Sequence, residues 1–208
     1  MSLRTAVVPA GTVMVRVATD NLGTTEPSSS TAPHRFSPVA YADGSVVPVL
    51  YAGDSLGCAL GETVFHDLSD DPAIPESVFR ADLWALRAGF ITVKRELSLV
   101  DLTDVALAGL RFSRNDVINT PPDDYPVTAT WAQASWDTTD CAGLLWNSRR
   151  SPGQLAYMLF VDPKTDPHKA ADRRADLEID RPPLPLFDGH GLGEVLTAAT
   201  NRNVTVVF

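Results

Sequence analysis

The sequence predicts an α+β fold built as a single domain. Three observations carry this. The chain has 208 residues, the size of one ordinary domain. Its apolar fraction of 44% suits a chain with a water-excluding core. Its strand-like and helix-like segments are short and do not alternate regularly, which argues against a doubly wound parallel sheet.

The elements follow in order. Residues 12–19 alternate apolar and β-branched side chains and read as a strand. Residues 20–33 are rich in Thr, Ser and Pro and read as a loop. Residues 46–52 read as a strand, with Pro48 marking an edge or a strand start. Gly53-Asp54 turns the chain into a helix over residues 55–68, whose Leu56, Ala59, Leu60, Thr63, Val64 and Leu68 share one face. Phe79, Ala81 and Leu83 alternate, as do Ile91 and Val93, so residues 79–102 read as strands. A short helix over 105–110 precedes a proline-rich loop at 119–126 and a helix over 128–136. Residues 142–146 and 155–161 read as strands around the turn Arg150-Ser151-Pro152-Gly153. Residues 162–188, charged and rich in proline, read as a mobile excursion around a short helix. A helix over 192–200 and a closing strand over 204–208 complete the chain, and no internal repeat is present.

Composition excludes several classes. No apolar run approaches the ~18–20 residues of a membrane span. The N-terminal residues lack a secretory apolar stretch, so the expected location is the cytoplasm. Cys58 and Cys141 have no Cys or His at metal-ligand spacing and read as buried thiols, with no metal site expected. The net charge of −9 argues against nucleic acid as a direct partner. It leaves room for a small anionic ligand, which feels only the local field, and suits docking to a basic protein.

One motif competes for the function. Gly53-Asp54-Ser55-Leu56-Gly57 matches the G-x-S-x-G nucleophile elbow, and its letters resemble the GDSL esterase signature. On that reading Ser55 is a nucleophile, His190 its base and Asp188 the nearby acid. The alternative is a helix-start serine that satisfies a free backbone N–H. The late spacing here is Asp-x-His rather than Asp-x-x-His, and about fifty residues precede the serine, so the helix-start reading is preferred.

Other residues suit a different chemistry. Glu62 falls away from the Leu56/Leu60/Val64 stripe, beside Cys58, Gly61 and Phe65. One carboxylate in a small, partly apolar lining suits a pocket floor. Arg35, between His34 and Phe36, carries the guanidinium suited to gripping phosphate oxygens. Tyr51 ends the strand before the turn. Asn147-Ser148-Arg149-Arg150 places polar groups at the end of another strand, where ligands are often met.

These residues lie in an ordered set: Arg16 in Met14-Val15-Arg16-Val17, Arg35-Phe36, Val49-Leu50-Tyr51-Ala52, Ala59-Leu60-Gly61-Glu62, Trp131-Ala132-Gln133, Asp140 to Arg149, and Leu159-Phe160. In this order the chain resembles the RES domain over about residues 12–165. Three departures are that Asp140 and Gly143 are separated by Cys-Ala, that Trp146 stands where a tyrosine is common, and that the gap from Arg35 to Tyr51 is long. The resemblance implies a mixed, largely antiparallel sheet with flanking helices, as in ADP-ribosyltransferases. It implies a toxin that cleaves the nicotinamide–ribose bond of NAD⁺, with phosphate or water as acceptor. A target protein is the alternative acceptor, and no prosthetic group is expected. Glu62 and Arg35 are the implied catalytic residues. Arg35, Tyr51, Glu62, Ser148 and Arg149 are the implied NAD⁺-binding residues, with Arg16 a rival for the role of Arg35. An Xre-type antitoxin is the implied partner, and a homo-oligomer stays open.

Overall fold

The computed structural model describes residues 3–69, 74–161 and 173–208. Ten strands and five α-helices are present among them: β1 (Thr5–Val8), β2 (Val13–Thr19), β3 (Val49–Gly53), α1 (Leu56–Gly61), β4 (Glu76–Phe79), β5 (Leu86–Val93), β6 (Leu97–Asp101), α2 (Asp104–Gly109), α3 (Arg114–Val117), α4 (Tyr125–Thr138), β7 (Gly143–Asn147), β8 (Leu155–Phe160), β9 (Leu177–Pro185), α5 (Gly189–Thr200) and β10 (Val204–Val207). Eight strands form one mixed sheet in the order β1-β6-β7-β8-β3-β2-β5-β9. All its neighbours pair antiparallel except β6 and β7. A small parallel pair, β4 with β10, stands apart. The α+β expectation holds, with a largely antiparallel sheet.

Period-two alternation divides the core. In β3, Leu50 and Ala52 face one way, while Val49 and Tyr51 face the other. Tyr157 and Leu159 of β8 join Leu50, with Met14, Ile91, Val93, Leu97, Leu99 and Leu145, in a cluster made without helical residues. The sheet therefore curls round on itself. On the outer face, Met158, Phe160 and Trp146 pack under Ala132 and Trp136 of α4, Leu107 of α2 and Val117 of α3. A third cluster joins β2 and β5 to Leu60, Phe65, Val195 and Ala199 beneath α1 and α5.

One seam in the sheet matters for function. β2 and β3 are neighbours, yet they share a single residue pair, Val15 with Gly53. Beyond it the two strands diverge and leave a wedge between them.

Several local expectations are corrected. β3 starts after Pro48, so the proline marks a strand start, and the strand is interior rather than an edge. The helix expected over 55–68 ends at Gly61. A wider turn follows, in which Phe65 N–H donates to Leu60 carbonyl at 3.0 Å and the Phe65 ring enters the core. Residues Arg80–Leu83 form a 3₁₀ turn, not a strand, and bury Leu83. The loop expected at 119–126 ends early, because α4 starts at Tyr125 with Pro126 in its first turn, where the missing N–H costs nothing. β9 runs through the stretch read as an excursion; its prolines sit on a strand at the sheet edge, where a lost N–H is tolerated. The rest of that expectation, over 162–172, lies outside the described residues.

Candidate active site

Between β2 and β3, the diverging strands and the segment after α1 enclose a cavity of about 700 Å³. β2 contributes Arg16, Val17 and Ala18 to its walls, and β3 contributes Val49, Tyr51 and Ala52. Ala59, Glu62, Thr63, His66 and Asp67 line another side, and His34 and Arg35 approach from the loop between β2 and β3. Tyr125 and Trp146 also line it. The volume falls within the ~300–1,000 Å³ typical of small-molecule sites.

Glu62 is the best-held polar group there. It caps the C-terminal end of α1, and its N–H donates to Cys58 carbonyl at 2.9 Å. Ser148 Oγ donates to Glu62 Oε1 at 2.6 Å, and the Arg149 N–H donates to the same oxygen at 3.0 Å. Arg35 Nη1 reaches Oε2 at 3.4 Å. The Arg35 side chain is 4% exposed and that of Glu62 13%. Arg35 Nε and Nη2 are buried and have no hydrogen-bond partner among the described residues. The guanidinium thus keeps donors unspent beside a cavity, which is unusual, because buried donors are nearly always paired.

The scaffold explains these positions. Thr128 Oγ1 of α4 donates to the Arg35 carbonyl, and Gln133 of the same helix clasps Ala40 through both its N–H, at 2.8 Å, and its carbonyl, at 3.1 Å. Helix α4 therefore fixes the loop that carries Arg35. Ser148 follows β7, and its carbonyl accepts from Arg114 Nη2 at 2.6 Å. β7 itself starts at Gly143, whose φ of +153° and whose missing Cβ, which would sit 1.9 Å from the Met158 carbonyl oxygen, admit glycine only. Arg150 donates to the carbonyls of His66, Leu68 and Ser69, which ties down the turn after Glu62.

Tyr51 donates its hydroxyl to Ser37 Oγ at 3.1 Å, and burial pushes the phenol up to about 12, so it stays neutral. Its ring lies edge-on to Trp146 at 6.3 Å between centroids. Arg16 is engaged differently from Arg35. Its Nη1 donates to the carbonyls of Gly23, at 3.1 Å, and of Glu26. Burial lowers its guanidinium to about 10, partly offset by Glu26. Arg16 is a clamp on the loop over β2, while Arg35 is the arginine that faces Glu62.

The residues singled out in the sequence divide into two groups. Arg35, Tyr51 and Glu62 line the cavity. Ser148 is fully buried behind Glu62, and Arg149 meets Glu62 through its backbone. The neighbours expected for Glu62 are corrected: Cys58 and Phe65 belong to the core, and the lining follows the spacing 59, 62, 63, 66, 67 instead. Burial pushes the Cys58 thiol up to about 12, in keeping with an inert core thiol. His66, Tyr125 and His34 were not singled out by sequence reasoning, although His66 stands four residues after Glu62 in the same segment. Ser55 is the N-cap of α1: its Oγ accepts from Cys58 N–H at 3.0 Å. His190 pairs with Glu194 at 3.5 Å instead of with Ser55. Among the described residues no group of three His, Cys, Asp or Glu side chains is placed to hold a metal ion.

A curled mixed sheet carries at its seam an Arg-Glu-Ser constellation in which Arg35 and Ser148 are buried and Glu62 reaches the cavity. The RES-domain family model matches residues 14–181, most of the chain, and the chain belongs to the RES-domain family. Among solved structures it is similar to a chain of the crystal structure of the M. tuberculosis MbcT–MbcA toxin–antitoxin complex, with a TM-score of 0.54 at 16% identity, covering 86% of this chain and 85% of that one. At that identity the likeness concerns the fold. No curated protein matches the chain.

Proposed function

We propose that this protein is the toxin of a toxin–antitoxin pair and that it cleaves the nicotinamide–ribose bond of NAD⁺, with phosphate or water as acceptor. The observation that carries the reading is Glu62, a carboxylate held by Ser148, Arg149 N–H and Arg35 in the wall of a ligand-sized cavity. Membership of the RES family and likeness to a toxin–antitoxin structure support it.

The chemistry fits the geometry. Breaking the bond to nicotinamide builds positive charge on the ribose, as glycoside cleavage does. Glu62, fixed by three donors, offers a preorganised negative charge to that centre. Ser148 acts through Glu62, since its hydroxyl is already committed there. Arg35, with Nε and Nη2 unpartnered, supplies the cation for the pyrophosphate or for an attacking phosphate. Arg149 adds positive charge at the same end. The neutral Tyr51 ring offers a flat apolar surface to nicotinamide or ribose. NAD⁺ is here a substrate, and no bound cofactor enters the reading. The partner is an antitoxin, of Xre type by family resemblance, and the reading places the protein in the cytoplasm, where NAD⁺ is met. The whole of residues 1–208 acts as one unit.

Purified protein incubated with NAD⁺, with and without phosphate, tests this. Nicotinamide release is expected, with ADP-ribose 1-phosphate formed if phosphate is the acceptor and ADP-ribose if water is. A folded protein that releases no nicotinamide in either buffer overturns the proposal.

A further inference from the structure

The mechanism above leaves one proton unassigned. Phosphate attacks through an oxygen that carries no hydrogen, but a water that attacks the ribose must lose one, and Glu62 is poorly placed to take it. Both Glu62 oxygens already accept donors, Oε1 from Ser148 and Arg149 and Oε2 from Arg35. That carboxylate is committed to holding charge.

A second cluster in the same cavity has the right connections. His66 Nδ1 lies 2.8 Å from Asp67 Oδ1, and a carboxylate can only accept, so Nδ1 carries the hydrogen. Nε2 is then left with a free lone pair, and it lies 3.2 Å from Tyr125 Oη. The Tyr125 hydroxyl therefore donates to His66, and its own oxygen remains free to accept. Burial raises the Tyr125 phenol, partly offset by Arg35, so the ring works as a neutral conduit and not as a charge store. Both side chains line the cavity that holds Glu62 and Arg35, and the Arg35 guanidinium lies 5.9 Å from the Tyr125 ring centroid.

We infer that Tyr125 and His66 form a proton relay that deprotonates an acceptor water as it attacks the ribose. The inference rests on the proposed NAD⁺ cleavage. As the ribose–nitrogen bond breaks, its electron pair leaves with neutral nicotinamide. An acceptor oxygen lone pair forms the new bond to the same carbon. The acceptor's hydrogen passes to Tyr125 Oη as the Tyr125 hydrogen passes to His66 Nε2, and the imidazolium later releases it to solvent. Asp67 holds the imidazole in the required tautomer and faces the resulting positive charge.

The groups facing His66 are Asp67 and Glu62 from its own segment, Tyr125 from α4, and His34 and Arg35 from the loop between β2 and β3. Arg150 meets its carbonyl from the β7–β8 turn. His34 is itself lowered by burial and by the nearness of His66.

The test compares nicotinamide release from NAD⁺ by the full chain and by His66→Asn in phosphate-free buffer, across pH, beside NAD⁺ affinity measured by calorimetry. The expected loss in kcat is ~10²–10⁴-fold, the usual contribution of general acid–base catalysis, with affinity unchanged. Turnover by the parent falls on the acid side, and this fall is absent in His66→Asn. Added imidazole partly restores turnover to His66→Gly, which a merely structural role would not allow. A folded His66→Asn with parental kcat and pH profile overturns the relay alone. A parent that releases nicotinamide only when phosphate is present also overturns the relay alone, and a folded parent that releases none in either buffer overturns the proposed function and the relay together. Should His66→Asn fail to fold, Tyr125→Phe removes only the hydroxyl; it is expected to lose most of kcat, and an unchanged kcat there overturns the relay.

Discussion

At the residue scale the site depends on how Glu62 is held. Ser148 Oγ donates to Glu62 and also accepts the Ser151 N–H at 3.1 Å, so one hydroxyl links carboxylate and turn. Ser148→Ala removes a hydrogen bond to a charged group and is expected to cost about 1–3 kcal/mol in stability, read by urea unfolding. Turnover should fall with it, because the carboxylate loses its fixed aim. Glu62→Gln keeps the shape but removes the charge; it should remain folded and release no nicotinamide. His34 gives a pH signature. Its imidazole is lowered by burial and by His66, so the unfolded chain binds more protons than the folded one between its folded value and 6.5. Stability from this group is complete above pH 6.5 and is lost as the pH falls from there towards the folded value. Denaturation at pH 7.5 and 5.5 should show a smaller acid loss in His34→Gln than in the parent. Residue types and order made Arg35, Tyr51, Glu62 and Ser148 legible in the sequence. The Tyr125–His66 contact was not, because it joins residues 59 positions apart and neither stood in a motif.

At the element scale the short helix α1 sets the angle of Glu62. Its last residue, Gly61, packs where a Cβ would lie 2.9 Å from Arg150 Cβ and Ser151 Oγ. Gly61→Ala should therefore overpack the junction and cost about 1–3 kcal/mol, with a loss of turnover that tracks the displaced Glu62. β2, read from its alternation, and β7 and β8, read as apolar runs around a turn, were readable to within a residue or two. The helix over 55–68 was overextended for a physical reason. Its apolar spacing fits a helix, but the wide turn after Gly61 satisfies the same burial through Phe65 and gives the backbone carbonyls to Arg150 instead. β9 was hidden by its prolines, which argue against a central strand and say nothing against an edge. β1 and α3 are four residues each, too short for a periodic signal.

At the scale of the whole molecule, the cavity exists because two adjacent strands part after a single pair. No sequence pattern announces that seam, since pairing register is a tertiary property. The C-terminal helix braces it from behind. Arg202 donates to the Gly57 carbonyl at 2.9 Å and to Ser151 Oγ at 2.7 Å, which bolts the end of the chain to α1 and to the turn beside Glu62. Val195 and Ala199 of α5 cover Leu60 and Phe65. A chain ending at residue 188 should thus lose cooperative unfolding, as calorimetry would show, although α5 and β10 lie outside the stretch matched by the family model. Among the described residues no helix is long and apolar enough to cross a membrane.

On the proposed function, Glu62, fixed at this seam, drives cleavage of NAD⁺. The most direct measurement is nicotinamide release from NAD⁺ by the purified chain and by Glu62→Gln, side by side and in phosphate and phosphate-free buffer. Release by the parent and none by the folded variant is the predicted result. Equal release by both, or none by a folded parent in either buffer, would contradict it.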